Sequence, residues 1–187
     1  MAAPASPART GVWVAIATIS LSFAAYTSAL MVRQGTASDW AHFQLPPILY
    51  FNTLVLLASS VTMVLGQRRM ATAGAGARTF AALGGGWLVL TLALGLLFVG
   101  GQVLAWQSLA GQGLYLATNP GSSFFYVFTA LHALHLLGGI AALGYVLRRL
   151  LRAPTAPPVV AGGATALYWH FMDVLWLYLL LVLALRL

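Results

Sequence analysis

Five predominantly apolar runs, each 20 to 28 residues long, leave this 187-residue chain few ways to fold. They cover residues 11–32, 46–65, 79–106, 123–147 and 165–185. A helix of about 20 residues crosses the ~30 Å hydrocarbon core of a bilayer. Within lipid every backbone N–H and C=O must be satisfied internally, and a run of this kind can do so as a helix. The expected fold is therefore all-α and integral to the membrane: five transmembrane helices forming a single domain over residues 1–187. Composition agrees, since 6% of the residues are charged against about 25% in soluble domains.

The first run carries Arg9 ahead of it and a Thr27-Ser28-Ala29 site within it, the outline of a secretory leader. Its 22 residues exceed the ~7–15 of a leader's apolar core, so it is expected to be a retained span. Pro46 and Pro47 suit a helix start, where a missing N–H has no partner to lose. Asn119-Pro-Gly-Ser-Ser123 reads as a turn followed by a serine cap. Pro154, Pro157, Pro158, Gly162 and Gly163 are expected to break the chain before the last helix.

Nine arginines against two aspartates, with no lysine and no glutamate, give the net charge of +7. With so few charges in total, this excess is not a nucleic-acid footprint. Arg9, Arg68, Arg69, Arg78, Arg148, Arg149 and Arg152 fall in connections on one side of the five spans. Arg33, with Asp39 beside it, and Arg186 fall on the other. The positive-inside rule then puts the N-terminus in the cytoplasm and the C-terminus outside. Cysteine is absent, which excludes disulfides, thiolate chemistry and thiolate-bound metals.

Spans 3 and 4 are rich in small residues: Gly84, Gly85, Gly86, Gly95, Gly100 and Gly101, then Gly138, Gly139, Ala141 and Ala142. In lipid such residues let helix backbones approach closely.

The last span is anomalous, because it holds His170 and Asp173, one of the two acidic residues in the chain. A lone carboxylate at that depth costs about 2.5–3.5 kcal/mol or more, so something must offset it. At about 100° per residue Trp169, Asp173 and Trp176 share a face, with His170 on the adjoining stripe. On span 4, His132 and His135 lie one turn apart. At about 1.5 Å per residue, Asp173 and His135 both come roughly 12 Å from the cytoplasmic boundary. Ser59 and Ser60 of span 2 reach a similar level. A buried polar cluster of Asp173, His135 and a span-2 serine is expected, with His170 and His132 beside it. Such a cluster is a register-fixing hydrogen-bond network, part of a proton path, a bis-histidine haem site, or a metal site of His132, His135, His170 and Asp173. Two carboxylates leave general acid–base catalysis almost without parts. The residues thus point to a small polytopic partner of a catalytic subunit.

Four stretches in order sharpen this reading. They are LPPILYFNTLVLLASS at 45–60, the Gly95-to-Gln102 segment, FFYVFTALHALHLLGG at 124–139 and YWHFMDVLW at 168–176. Together they resemble the subunit III family of haem–copper respiratory oxidases, in its short five-helix form lacking the first two helices of longer members. The N-in, C-out orientation matches the removal of two helices. The last two motifs are the more specific. Asn52, Gln102, Gly138, Gly139, Trp169 and Trp176 fall at signature packing positions. Ala105 stands where the family often has a glutamate, and Thr129-Ala130 where it has Thr-Gly; a role resting on that glutamate does not carry over.

The resemblance implies a non-catalytic subunit of a proton-pumping terminal oxidase, of the cytochrome c or quinol type, that reduces oxygen to water. In that family subunit III holds no redox centre: haem and copper belong to subunit I, and phospholipid binds subunit III. The expected roles are stabilising the catalytic subunit and supporting proton uptake. The expected partners are subunit I, other oxidase subunits and membrane lipids, in a bacterial cytoplasmic membrane. A subunit of a nitric oxide reductase is the alternative on the same scaffold. A proton-coupled transporter and a b-type cytochrome are alternatives of other classes.

Overall fold

A computed structural model describes residues 7–36, 38–40, 42–72, 80, 84–152 and 159–187. The described elements are α1 (Pro7–Thr36), α2 (Ile48–Thr72), α3 (Gly85–Gly111), α4 (Pro120–Arg152) and α5 (Val159–Arg186). All five are long and apolar enough to cross a membrane. Arg78, Pro154, Pro157 and Pro158 lie outside the described residues.

Local chemistry sets the helix ends. Pro46 and Pro47 stand just before α2, and their carbonyls accept from Leu49 N (3.0 Å) and Tyr50 N (3.1 Å). Residue 79, the expected start of span 3, lies outside the described residues. Gly84 adopts φ +74°, and α3 begins after it. A Cβ on Gly84 would come 2.7 Å from the Gly66 carbonyl and 2.8 Å from Arg69 Cβ. Only glycine meets both the left-handed backbone and that close approach to α2.

The serine cap expected for α4 is also corrected. Asn119 is the cap: its Oδ1 accepts from Ser122 N (3.0 Å), and Ser122 Oγ accepts from Asn119 N (3.3 Å). Pro120 then takes the first helical position, so this is a capping box with asparagine leading. The break expected at Gly162 and Gly163 is corrected too, because α5 runs through both. Glycine weakens a helix by about 1 kcal/mol but does not stop it as proline does.

Successive helices run antiparallel. The C-terminal ends of α1 and α5 meet, where Gln34 Nε2 donates to the Arg186 carbonyl at 3.1 Å. Arg33 and Arg186 lie at that end, with Arg33 paired to Asp39 at 2.9 Å. Arg9, Arg68, Arg69, Arg148, Arg149 and Arg152 lie at the other, as the helix directions require. Helix α5 is the most enclosed, packing on α1, α2 and α4, while α3 packs between α2 and α4. No Cα of α1 comes within 8 Å of one in α2 among the described residues.

The small residues act selectively. Gly95 faces the Trp169 ring, Gly101 faces Asn52, and Gly139 faces Tyr168, each at a crossing of helices. Gly86 and Gly100 face open space. At these three points an aromatic or amide side chain takes the room a methyl would occupy, while Gly66 makes room for Leu88.

Candidate functional site

The α2–α5 seam is built on three hydroxyls of α2. Thr53 and Ser60 are seven residues apart and so share a face. Ser59 lies beside them. Opposite stand Trp176, His170 and Trp169 of α5. Thr53 Oγ1 donates to its own Leu49 carbonyl (2.8 Å) and accepts the Trp176 indole N–H at 2.9 Å. Ser59 Oγ donates to the Leu56 carbonyl (2.7 Å) and accepts the Trp169 indole N–H at 3.0 Å. Each hydroxyl uses its proton on its own helix, which leaves a lone pair for the indole across the seam.

Ser60 forms the third rung. Its Oγ lies 2.6 Å from His170 Nδ1, and that nitrogen lies 3.9 Å from Asp173 Oδ2. The carboxylate sits behind the imidazole with its side chain 5% exposed, while His170 is 35% exposed. Three rungs thus join α2 to α5, while neither carboxylate oxygen of Asp173 makes a hydrogen bond among the described residues.

The expected partnership of Asp173 with His135 is not found among the described residues. His135 Nδ1 lies 2.7 Å from its own Leu131 carbonyl, and its ring stands edge-on to Phe23 of α1. The depth estimate set the level but not the direction around the helix. His135 lies about 60° around α4 from His132, enough to turn it towards α1. His132 turns the other way, into the core, with its ring 5.9 Å from Phe98 and 5.2 Å from Trp176. The two histidines do not converge, and no three histidine, aspartate or glutamate side chains among the described residues are placed to hold a metal ion.

The signature positions are packing points. Asn52 Nδ2 donates to the Phe98 carbonyl at 3.3 Å and fills the space Gly101 leaves. Gly139 receives the Tyr168 ring, whose hydroxyl donates to the His135 carbonyl at 3.0 Å. Gly138 lies 3.8 Å from that hydroxyl, measured from an added Cβ. Gln102 is fully buried between the helices, as is His132, and neither side chain hydrogen-bonds within the described residues.

Sequence reasoning missed Thr53, although its spacing of seven from Ser60 marked it. It also missed the Thr62–Thr91 hydroxyl pair (2.8 Å) and the Tyr178–Thr27 bond (2.8 Å), which tie α2 to α3 and α5 to α1.

Fold and site define a multi-pass helical membrane protein whose last span, the one that carries a buried carboxylate, packs on three of the other four. The family model described as cytochrome c oxidase subunit III matches residues 13–185. The chain belongs to that family. A probable cytochrome c oxidase subunit 3 of Mycobacterium tuberculosis is 34% identical over 137 residues, covering 70% of this chain and 62% of the relative. A cytochrome c oxidase subunit 3 of Corynebacterium diphtheriae is 31% identical over 153 residues, covering 78% and 69%. One from Thermostichus vulcanus is 30% identical over 178 residues, covering 90% and 82%. The match spans less than two thirds of the mycobacterial relative's length.

Proposed function

We propose that this chain is a non-catalytic subunit of a haem–copper terminal oxidase in a bacterial cytoplasmic membrane, oriented with its N-terminus inside. The observation that carries the reading is the use made of residues 168–176. Both indoles, the tyrosine hydroxyl and His170 of this family signature are engaged with neighbouring helices or their own carboxylate. The segment does the work of a helix lock, which suits a subunit that steadies a catalytic partner. Bacterial relatives named as oxidase subunits support the setting. The arginine distribution supports the orientation.

Haem and copper belong, on this reading, to subunit I of the complex. Support for proton uptake is a further part of the proposal, and it centres on Asp173 and His170. Phospholipid is the proposed small ligand. A cleft of about 430 Å³ between α1, α4 and α5, lined by Gly11, Val12, Ala15, Ala142 and Tyr168 among others, offers an apolar channel for an acyl chain.

Affinity purification of the tagged chain from its native membrane tests the reading. Copurification of a haem–copper subunit that reduces oxygen is expected. Recovery with a nitric oxide-reducing subunit, a Soret band on the isolated chain, or ion transport by this chain alone in proteoliposomes would each overturn it.

A further inference from the structure

Two fully buried polar side chains, Gln102 of α3 and His132 of α4, take no part in the lock made by residues 168–176. Neither polar atom of the amide and neither ring nitrogen of the imidazole has a hydrogen-bond partner among the described residues. Both lie deep in the bundle. By rise per residue, Gln102 is about 14 Å from the C-terminal end of α3 and His132 about 18 Å from the start of α4. Hydrocarbon offers no partner at that depth, so four unpaired polar atoms there are costly.

The two side chains are neighbours. Phe98, Gln102, Ala105 and Leu109 recur at helical spacing, all fully buried on one face of α3. One turn before Gln102, the Phe98 ring stands 5.9 Å from the His132 ring. One turn after it, the Trp106 indole N–H donates to Thr129 Oγ1 at 2.9 Å. The α3–α4 contacts on either side of Gln102 thus fall at His132 and Thr129, one turn apart on α4. Amide and imidazole therefore stand at the same level of that interface. Ala105, the next buried residue along the face, adds only a methyl.

A direct bond between the two would satisfy two of the four atoms and leave two unpaired. No third histidine or carboxylate among the described residues converges on the pair to hold a metal ion. A neutral ligand that both donates and accepts matches them. Water does so, and buried waters sit where they make about three hydrogen bonds to groups without other partners.

We propose that Gln102 and His132 hold an ordered internal water between α3 and α4. The water accepts from an N–H of one side chain and donates to the amide oxygen or the unprotonated ring nitrogen, bridging the helices. The α3–α4 interface then depends on bound solvent where the α2–α5 seam depends on hydroxyls. The site stands independently of the complex the chain serves.

X-ray radiolytic footprinting of the full chain in detergent tests it, because radiolysis of a bound water oxidises the side chains around it even where bulk solvent cannot reach. Phe98 and Phe125 are both fully buried, and only Phe98 stands against His132. Phe98 is expected to be oxidised at least tenfold faster than Phe125, and in Gln102→Leu to fall to the Phe125 level. Thermal melting of Gln102→Leu, His132→Phe and the double variant gives a second reading: each single variant should melt below the wild type, and the double variant should lose less than the two singles together. Equal oxidation of Phe98 and Phe125 in the wild-type chain would overturn the water, whatever the melting series returns. Phe98 oxidation that survives Gln102→Leu, or melting of Gln102→Leu at or above the wild type, would also overturn it.

Discussion

Trp169 of α5 donates its indole N–H to Ser59 Oγ of α2 at 3.0 Å, and the far edge of the same ring lies against Gly95 of α3. One fully buried side chain thus sets the spacing of three helices at once.

A Cβ at position 95 would come 2.7 Å from Trp169 Cη2 and 3.0 Å from Cζ2. The ring is held by its hydrogen bond and by close packing, so it has little room to retreat. Gly95→Ala should destabilise the bundle by about 1–3 kcal/mol, the usual cost of overpacking. Gly100, with open space around it, is the control. Gly100→Ala should be neutral or slightly stabilising. Thermal melting of the detergent-purified chain reads both.

Thr53→Val keeps the shape of the side chain but leaves the Trp176 indole N–H without its acceptor. A buried donor left unpaired costs about 1–3 kcal/mol. Trp176→Phe in the same background removes the orphan donor. The double-mutant cycle should return a coupling of about 0.6 kcal/mol and no more than roughly 1.7, the range for hydrogen bonds between membrane helices. Zero coupling would remove this rung from the account.

Asp173→Asn preserves size and polarity beside His170 and Ser60. It should insert and assemble normally, since the carboxylate contributes through its neighbours and not through a fixed ion pair with another helix. Oxygen consumption and proton release by the assembled complex are expected to change. Identical turnover and an identical pH profile would leave Asp173 a packing role only.

Orientation is open to direct measurement. Alkaline phosphatase, active only outside the cytoplasm, should be active when fused after Leu187 and inactive when fused after Arg152. The reverse pattern would contradict the arginine argument.

The five spans were legible because each apolar run is long and each is separated by polar or turn-forming residues. Their ends were less so. Gly84 sets the start of α3 by a left-handed backbone and by its contact with α2, and nothing in the local sequence distinguishes it from Gly85 and Gly86. The anomaly at Asp173 was legible as an energetic cost, and one partner helix, α2, was visible in Ser59 and Ser60. His135 misled because rise per residue gives depth, while partnership also needs the direction around the helix. That direction depends on where α1 packs, and nothing in the local sequence distinguishes Thr27, on its contact face, from the exposed Thr18 and Ser22.

The central claim is that residues 168–176 lock helices together in an accessory subunit and take no part in the redox chemistry. It is tested most directly by measuring the haem spectrum and subunit content of the oxidase complex carrying Thr53→Val with Ser59→Ala, over a temperature series. The account predicts an unchanged haem spectrum at every temperature at which the complex is recovered, with this chain dissociating at a lower temperature than in the wild type. A perturbed haem spectrum with this chain still fully retained would contradict it.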